Sequence, residues 1–551
     1  MWINVTTIGD LVDQRAERSD TTALVVGDDR RTYPELATES TRFAAGLAAL
    51  GVKRGDRVGV LMHNSVDFAV ALIGTAKLGA IAVPVNGRFR AHEAGYVVGH
   101  AEVKVLVTAR EAGGVDYPAL VREIIDRGEA RRDASVLDLS TEARKGFVGR
   151  AELHRLADGI DVVYVRQEQA KARLRDVAVL MYTSGTTAKP KGCLLTHEAL
   201  VRQGEKIART RFELTAEDAI WDPLPMFHCG GIVPMLGAFS VGAKFCHPGR
   251  FEPGSSLAAI MGEGCTVLYP AFEAIWLPLV THPDFREDQL RHVRLVQNIA
   301  TPERMEQFEA QMPWAKHVTS YGSTECSTNL TMGLSSDPPD LRLRTLGPPV
   351  DGVEVKIVDP ETGEEVPPGV MGELCFRGYS CFEGYYKEPE LTAAAFDVDG
   401  YFHSGDRACV EPTGHLRYGG RLKDMMKVGG ENVAAIEIED YLLTHPGVRI
   451  AQVVGVPDAR YDEVPAAFIE LQPGASLTEQ EIIDYCVGQI ASYKVPRYVR
   501  LVTEWPMSGT KVKKFELHEP LVAELTRAGV PEAPKVPSSL AASSASTAGA
   551  S

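Results

Sequence analysis

Between Tyr182 and Gly192 the chain reads Tyr-Thr-Ser-Gly-Thr-Thr-Ala-Lys-Pro-Lys-Gly. The hydroxyls of Thr183, Ser184, Thr186 and Thr187, the glycines at 185 and 192, and Lys189 and Lys191 suit a phosphate cradle. Backbone N–H and hydroxyl groups donate there, and the lysines neutralise charge. The G-x-x-x-x-G-K-[ST] spacing of a Walker A loop is not met. Four further groups bear reactive types. Pro225 to Gly231 sets His228 beside Phe227. Tyr321-Gly322-Ser323-Thr324-Glu325 offers a carboxylate of the kind a hard cation prefers. Tyr401 to Asp406 ends on a carboxylate that can accept two hydrogen bonds. Trp505 to Phe515 carries Lys511, Lys513 and Lys514. Each of these alone reads blandly: a structural histidine, a loop acid, surface lysines.

The elements that must position these groups fall into two textures. Up to about residue 330, short apolar strands (Thr21–Val26, Arg57–Met62, Ala80–Val85) alternate with helices expected at 33–51 and 66–79. That pattern means β-α units around a mostly parallel sheet, with a strand at 177–181 before the Thr/Ser/Gly loop and a helix from about His197 after it. From about 345, strict alternation over Val353–Asp359 and a strand at 373–378 ending on glycine suggest an antiparallel, barrel-like subdomain. After Arg421 a smaller α+β unit is expected: helix 434–445, strands 449–456 and 465–471, helix 478–491, strand 498–504. The fold class is therefore α/β, with a large N-terminal domain (1–420), a small C-terminal domain (421–530) and a Ser/Ala-rich tail (531–551) expected to be disordered.

Composition bounds the partners. The 551 residues hold 58 Lys+Arg and 74 Asp+Glu, a net charge of −16, with 44% hydrophobic and 24% charged residues. That is ordinary globular composition, and an acidic surface disfavours nucleic acid and anionic membranes. Nine scattered cysteines without C-x-x-C spacing argue against a disulfide scaffold or zinc ribbon and point to a reducing cytoplasm. No secretory signal is expected at the N-terminus. Pro223–Ala243 lacks charge and is long enough to cross a bilayer, but three prolines and four glycines make it a buried loop and helix.

The 182–192 loop resembles the phosphate-binding signature of the ANL adenylate-forming superfamily, which comprises acyl- and aryl-CoA ligases, peptide-synthetase adenylation domains and beetle luciferases. Ala188 stands where that signature has glycine. The other groups resemble the family's elements in the same order, over about residues 8 to 527. The resemblance implies ATP and Mg²⁺ held by Thr183, Ser184, Gly185, Thr186, Thr187, Lys191, Tyr321, Gly322 and Thr324, with Tyr321 against adenine and Glu325 on the metal. Asp406 is implied as the ribose ligand and Arg421 as a ribose or phosphate contact. Lys423 is implied as the hinge and Gly429-Gly430 as the path of the coenzyme A arm. Lys511 is implied as the adenylation lysine, with Lys513 and Lys514 as weaker candidates, in a loop one residue shorter than the family's and with Thr510 in place of its glycine. His228 becomes a mobile wall of an acid pocket lined by Phe227, Gly230, Gly231, Tyr269, Asn298, Ile299, Ala300, Ser320 and Ser323.

The implied reaction has a carboxylate attack the α-phosphate of MgATP, giving an acyl-adenylate and pyrophosphate. The C-terminal domain then rotates about the hinge and coenzyme A takes the acyl group. The aromatic and aliphatic residues of the pocket suit an apolar acid, fatty, alicyclic or aromatic, while Gln297, Asn298, Ser320 and Ser323 leave a substituted ring open. The acceptor has an alternative: a carrier-protein thiol, or a nitrogen nucleophile as in natural-product biosynthesis, including diazotisation-type chemistry. A non-catalytic nucleotide or acyl binder is the reading from another class, and a dimer stays open.

Overall fold

The computed structural model describes residues 6–110, 114–183, 190–300, 302–422, 425–508, 511–512 and 514–536. It divides into two compact units: unit 1 holds most of residues 1–422, and unit 2 holds 423–551 with two short segments, Arg88–Ala94 and Thr183–Lys191.

Unit 1 is built on two seven-stranded sheets. In one, the strands lie in the order Val148–Gly149, Ser135–Asp138, Val105–Thr108, Arg57–Leu61, Ile81–Pro84, Val177–Thr183, Lys191–Thr196. In the other the order is Lys316–Val318, Leu295–Ile299, Val267–Phe272, Ala219–Trp221, Lys244–His247, Thr22–Val26, Asp29–Thr32. From Val148–Gly149 to Val177–Thr183 in the first sheet and from Lys316–Val318 to Thr22–Val26 in the second, neighbouring strands run parallel, and Thr22–Val26/Asp29–Thr32 is an antiparallel hairpin, as the β-α alternation predicts.

Local sequence explains the helices between them. Tyr33–Ala49 starts at a capping box, Thr32 with Glu35, followed by Pro34 in the first turn. Val66–Lys77 is buried along its whole length and is capped by Ser65. Cys229–Val241 is likewise almost wholly buried and stops at Gly242, whose φ is 86°, so the uncharged stretch is core. Among the described residues no helix is long and apolar enough to cross a membrane. That helix packs on His197–Thr210 through two glycines. A Cβ on Gly237 would lie 2.6 Å from the Gly204 carbonyl oxygen, and one on Gly204 would lie 2.6 Å from that of Val233.

The helix expected from about His197 is present, and several neighbouring expectations change in detail. The segment after the Thr/Ser/Gly loop is a strand, Lys191–Thr196, before the helix begins at His197. The loop therefore joins two strands, and no helix N-terminus follows it directly. Gly192-Cys193-Leu194-Leu195-Thr196 is short and apolar, and it fills a place in a sheet. Among the described residues the antiparallel region is a four-stranded sheet (Val353–Val358, Gly372–Gly378, Phe402–Val410, Leu416–Arg421). The chain from Pro531 is tied down at first. Ala459 N–H donates to Pro531 O (2.9 Å), Ala533 N–H to Asp458 (2.6 Å) and Arg497 to Pro534 O (3.1 Å). Residues 537–551 of the expected tail lie outside the described residues.

Unit 2 has a five-stranded sheet with helices Ala435–Leu443, Glu479–Cys486 and Lys514–Arg527. Its core gathers Val428, Val433, Ile438, Leu442, Val453, Ile469, Ile482 and Cys486. The helix expected to 491 stops at Cys486, where Val487 turns extended and Gly488 has a φ of 76°. The strand expected at 498–504 is Tyr498–Leu501, three residues shorter.

Candidate functional site

In unit 1, Tyr321 and Asp406 meet although 85 residues separate them: the tyrosine hydroxyl donates to Asp406 Oδ2 at 2.6 Å. Tyr418 reaches the other carboxylate oxygen at 3.4 Å, and the two tyrosine rings lie 6.0 Å apart. Burial, then the carboxylate, raises Tyr321 well above the usual tyrosine range, so it remains a donor. Asp406 owes its aim to a bulge. Register partners run Glu373↔Arg407 and then Cys375↔His403, so the 402–410 strand carries two extra residues at Ser404–Asp406. Gly405 there has a φ of 71°. Glu373 holds the bulge by accepting Gly405 N–H at 2.9 Å, and Ser404 Oγ donates to Leu374 O at 2.6 Å.

Glu325 stands on a single 3₁₀ turn, Thr324–Cys326, at the end of the hairpin Ser320–Ser323/Thr328–Met332. A Cβ at Gly322 would lie 1.7 Å from Thr328 O, so only glycine fits the hairpin. Tyr385 donates to Glu325 Oε1 at 3.2 Å, and Phe382 N–H donates to Glu325 O at 2.9 Å. The same short segment is laced to the strand that follows the Thr/Ser/Gly loop. Tyr386 N–H bonds Gly192 O (2.7 Å), Leu194 N–H bonds Gly384 O (3.1 Å) and Glu383 N–H bonds Leu194 O (2.9 Å). Residues 382–386 thus brace that strand against Glu325.

The acid-pocket candidates form a buried polar network faced with apolar groups. Ser320 Oγ accepts from Gln297 (2.9 Å) and Asn329 (2.6 Å), and Tyr269 donates to Asn329 Oδ1 at 2.9 Å. Gln203 donates to Asn329 O and accepts from Tyr379. Gln297 Oε1 and both polar atoms of the Asn298 side chain are buried without a hydrogen-bond partner in the described structure. Phe227 is buried, while His228, Gly230, Ile299 and Ala300 are half-buried. His228 sits at the N-cap of Cys229–Val241, its ring 4.9 Å from that of Phe227.

In unit 2, Gly429 and Gly430 form a left-handed turn (φ 56° and 84°), and Gly429 N–H bonds Tyr461 O. Lys511 pairs with Ser508 in a two-residue ladder, and its side chain lies outside the described structure. Lys514 is spoken for: its Nζ is 2.6 Å from Glu439 Oε1 and 3.2 Å from Val453 O. Ser184, Gly185, Thr186, Thr187 and Lys423 lie outside the described residues, as does the Arg421 side chain, although Arg421 pairs with Asp406 in register.

A family model described as AMP-binding enzyme matches residues 11–386, and one described as AMP-binding enzyme C-terminal domain matches 437–511. The chain belongs to the AMP-binding enzyme family. Among its relatives is the putative acyl-CoA synthetase YngI of Bacillus subtilis, 34% identical, with 93% of this chain and 96% of that protein covered. Medium-chain acyl-CoA ligase ACSF2, mitochondrial, of Bos taurus is 32% identical over 94% and 88% of the two chains. ATP-bound MatB of Rhodopseudomonas palustris is a solved structure with a TM-score of 0.67 and 27% identity, covering 94% and 99%. Within this AMP-binding enzyme, Tyr385 and Tyr418 are the site neighbours that reading the sequence missed. Nothing local marks either one, because each acts on a carboxylate 60 or 12 residues away.

Proposed function

We propose that this chain uses ATP to turn an apolar carboxylic acid into an acyl-adenylate and passes the acyl group to coenzyme A, releasing AMP and pyrophosphate. The observation that carries the reading is that the likeness to acyl-CoA synthetases runs through both units, down to the segment holding Lys511. Asp406 binds the ribose hydroxyls, and Tyr321 lies against adenine. Glu325 supplies the hard oxygen ligand that Mg²⁺ on ATP requires; its carboxylate, half-buried and steered by Tyr385, suits that ion. Lys511 stabilises the charge that develops at the α-phosphate. The hydrogen bond to Glu439 removes Lys514 from contention, and Lys423 is the hinge. An apolar acid fits because Ser320, Asn329 and Tyr269 spend their polar groups on one another. The scattered spacing of the nine cysteines, with no C-x-x-C pair, favours a reducing cytoplasm.

Asn298 favours a second substrate reading, an acid with a hydroxyl or oxo group, since its buried amide has nothing to bond. Both readings are tested by pyrophosphate release across straight-chain, aromatic and hydroxy-substituted acids, with and without coenzyme A. An acyl-CoA product in that assay supports the ligase reading. Adenylate that goes only to a carrier thiol or an amine overturns the choice of acceptor. Lys511→Ala is expected to lower adenylation by at least about a hundredfold while sparing thioester formation from supplied adenylate. Equal loss of both half-reactions would sink the lysine assignment.

A further inference from the structure

Behind the bulge that aims Asp406, three side chains of different chemistry converge. Cys375 and His403 are direct cross-strand partners, and Glu373 lies two residues before Cys375 on the same strand. His403 Nδ1 is 2.8 Å from Glu373 Oε2 and 3.4 Å from Cys375 Sγ. One donor atom from each of the three lies within 4.8 Å of the others. Cys375 is buried; the other two are half-buried, so the cluster is reachable from solvent. On the far side of the imidazole, Asp397 Oδ2 is 4.0 Å from Nε2. Lys356 is held on Asp397 at 2.6 Å.

We propose that Glu373, Cys375 and His403 form a binding site for a borderline-soft divalent cation of the Zn²⁺ type, separate from the ATP-borne magnesium. A thiolate, an imidazole and a carboxylate on one ion are a zinc donor set, with water in the fourth position. Tetrahedral Zn²⁺ at bond lengths of about 2.0–2.3 Å needs donors about 3.3–3.6 Å apart, so small rotations of these side chains admit it. Binding displaces the Cys375 thiol proton to solvent, leaving the thiolate as ligand, and needs the imidazole proton on Nε2. Asp397 stands on that side as the acceptor, the usual carboxylate behind a metal-bound histidine. Glu373 can bind the ion through Oε2 while Oε1 still accepts Gly405 N–H. The ion would thus tie together the two strands on either side of the Asp406 bulge.

The test uses the full chain stripped of metal. Zn²⁺ is titrated in competition with a chromophoric chelator, and Co²⁺ is added in parallel to read the thiolate-to-metal charge-transfer band. The site predicts one tight equivalent and a cobalt–thiolate band. Cys375→Ser should abolish the band and weaken Zn²⁺ at least tenfold. His403→Gln should weaken Zn²⁺ at least tenfold while keeping the band, and it carries the test if the buried Ser variant does not fold. A band that persists in Cys375→Ser places the ion on another cysteine and overturns the proposal. So does equal Zn²⁺ affinity in the parent and His403→Gln.

Discussion

At Tyr385 a single hydroxyl bears on a neighbouring carboxylate. Its bond to Glu325 Oε1 fixes one oxygen of the carboxylate assigned to magnesium, and burial followed by Glu325 pushes the phenol far above its ordinary range. The hydroxyl therefore remains protonated and donates. Removing one hydrogen bond to a charged acceptor costs about 1.5–3 kcal/mol. Tyr385→Phe is expected to raise the Mg²⁺ concentration needed for half-maximal pyrophosphate release by about tenfold, leaving thioester formation from supplied adenylate unchanged. A Mg²⁺ titration of the two half-reactions checks this; an unchanged Mg²⁺ requirement would leave the tyrosine a packing residue. Lys514 teaches the converse. Three lysines stand within four positions, and the bond to Glu439 engages Lys514.

At the scale of elements, the site depends on two irregular pieces of backbone. One is the bulge at Ser404–Asp406, held by Glu373; the other is the Ser320–Ser323/Thr328–Met332 hairpin that delivers Glu325. The hairpin's tolerance is measurable at Gly322, where any Cβ collides with Thr328 O. That oxygen belongs to the backbone, so relief requires the strands to part. Gly322→Ala is expected to cost about 1–3 kcal/mol of stability, the usual range for overpacking, and to suppress adenylation more than thioester formation. Denaturant melts and the separated half-reactions decide it; a stable, fully active variant would mean that the hairpin yields without cost. The strand at Lys191–Thr196 belongs to the same lesson. The run from Gly192 to Thr196 is short and largely apolar, and its place in a sheet depends on neighbours that no local pattern names.

For the molecule as a whole, buried neutral histidines set the acid limit. Burial is the first cause in each case: it lowers His197 and His247 to about 4 and His317 to about 3. His247 shows why the ring stays neutral. Its Nδ1 accepts Gly249 N–H at 2.8 Å, so the ring proton sits on Nε2, 3.0 Å from Leu224 O, and a second proton would break the first bond. In the unfolded chain these groups titrate near 6.5. Their folded values are lower, so the contribution to stability is complete above about pH 6.5 and is lost as pH falls towards about 4. Each histidine removes about 1.4 kcal/mol per pH unit in that window. Urea melts from pH 7.5 to 4.5 should show stability falling with pH, and His247→Gln should flatten the slope by about one proton. A slope unchanged by that substitution would mean that His247 is not titrating on unfolding.

What the sequence by itself determined was the order of the candidate groups: a loop rich in hydroxyls and glycine, an aromatic-to-glutamate turn, an Asp after Ser-Gly, and a lysine near the C-terminus, strung on β-α units. Such features are local, because hydrophobic period, turn residues and motif spacing are properties of neighbours in the chain. Tertiary structure alone decided which of these groups meet. Tyr321 on Asp406, Tyr385 on Glu325, Lys514 on Glu439 and His403 on Cys375 all join residues 28 to 85 positions apart. His403 meets Cys375 through sheet register, Asp406 is presented by a two-residue bulge, and Lys514 meets Glu439 between two helices. A one-residue shift in pairing sends a side chain to the opposite face of a strand, so no amount of local pattern could have assigned them.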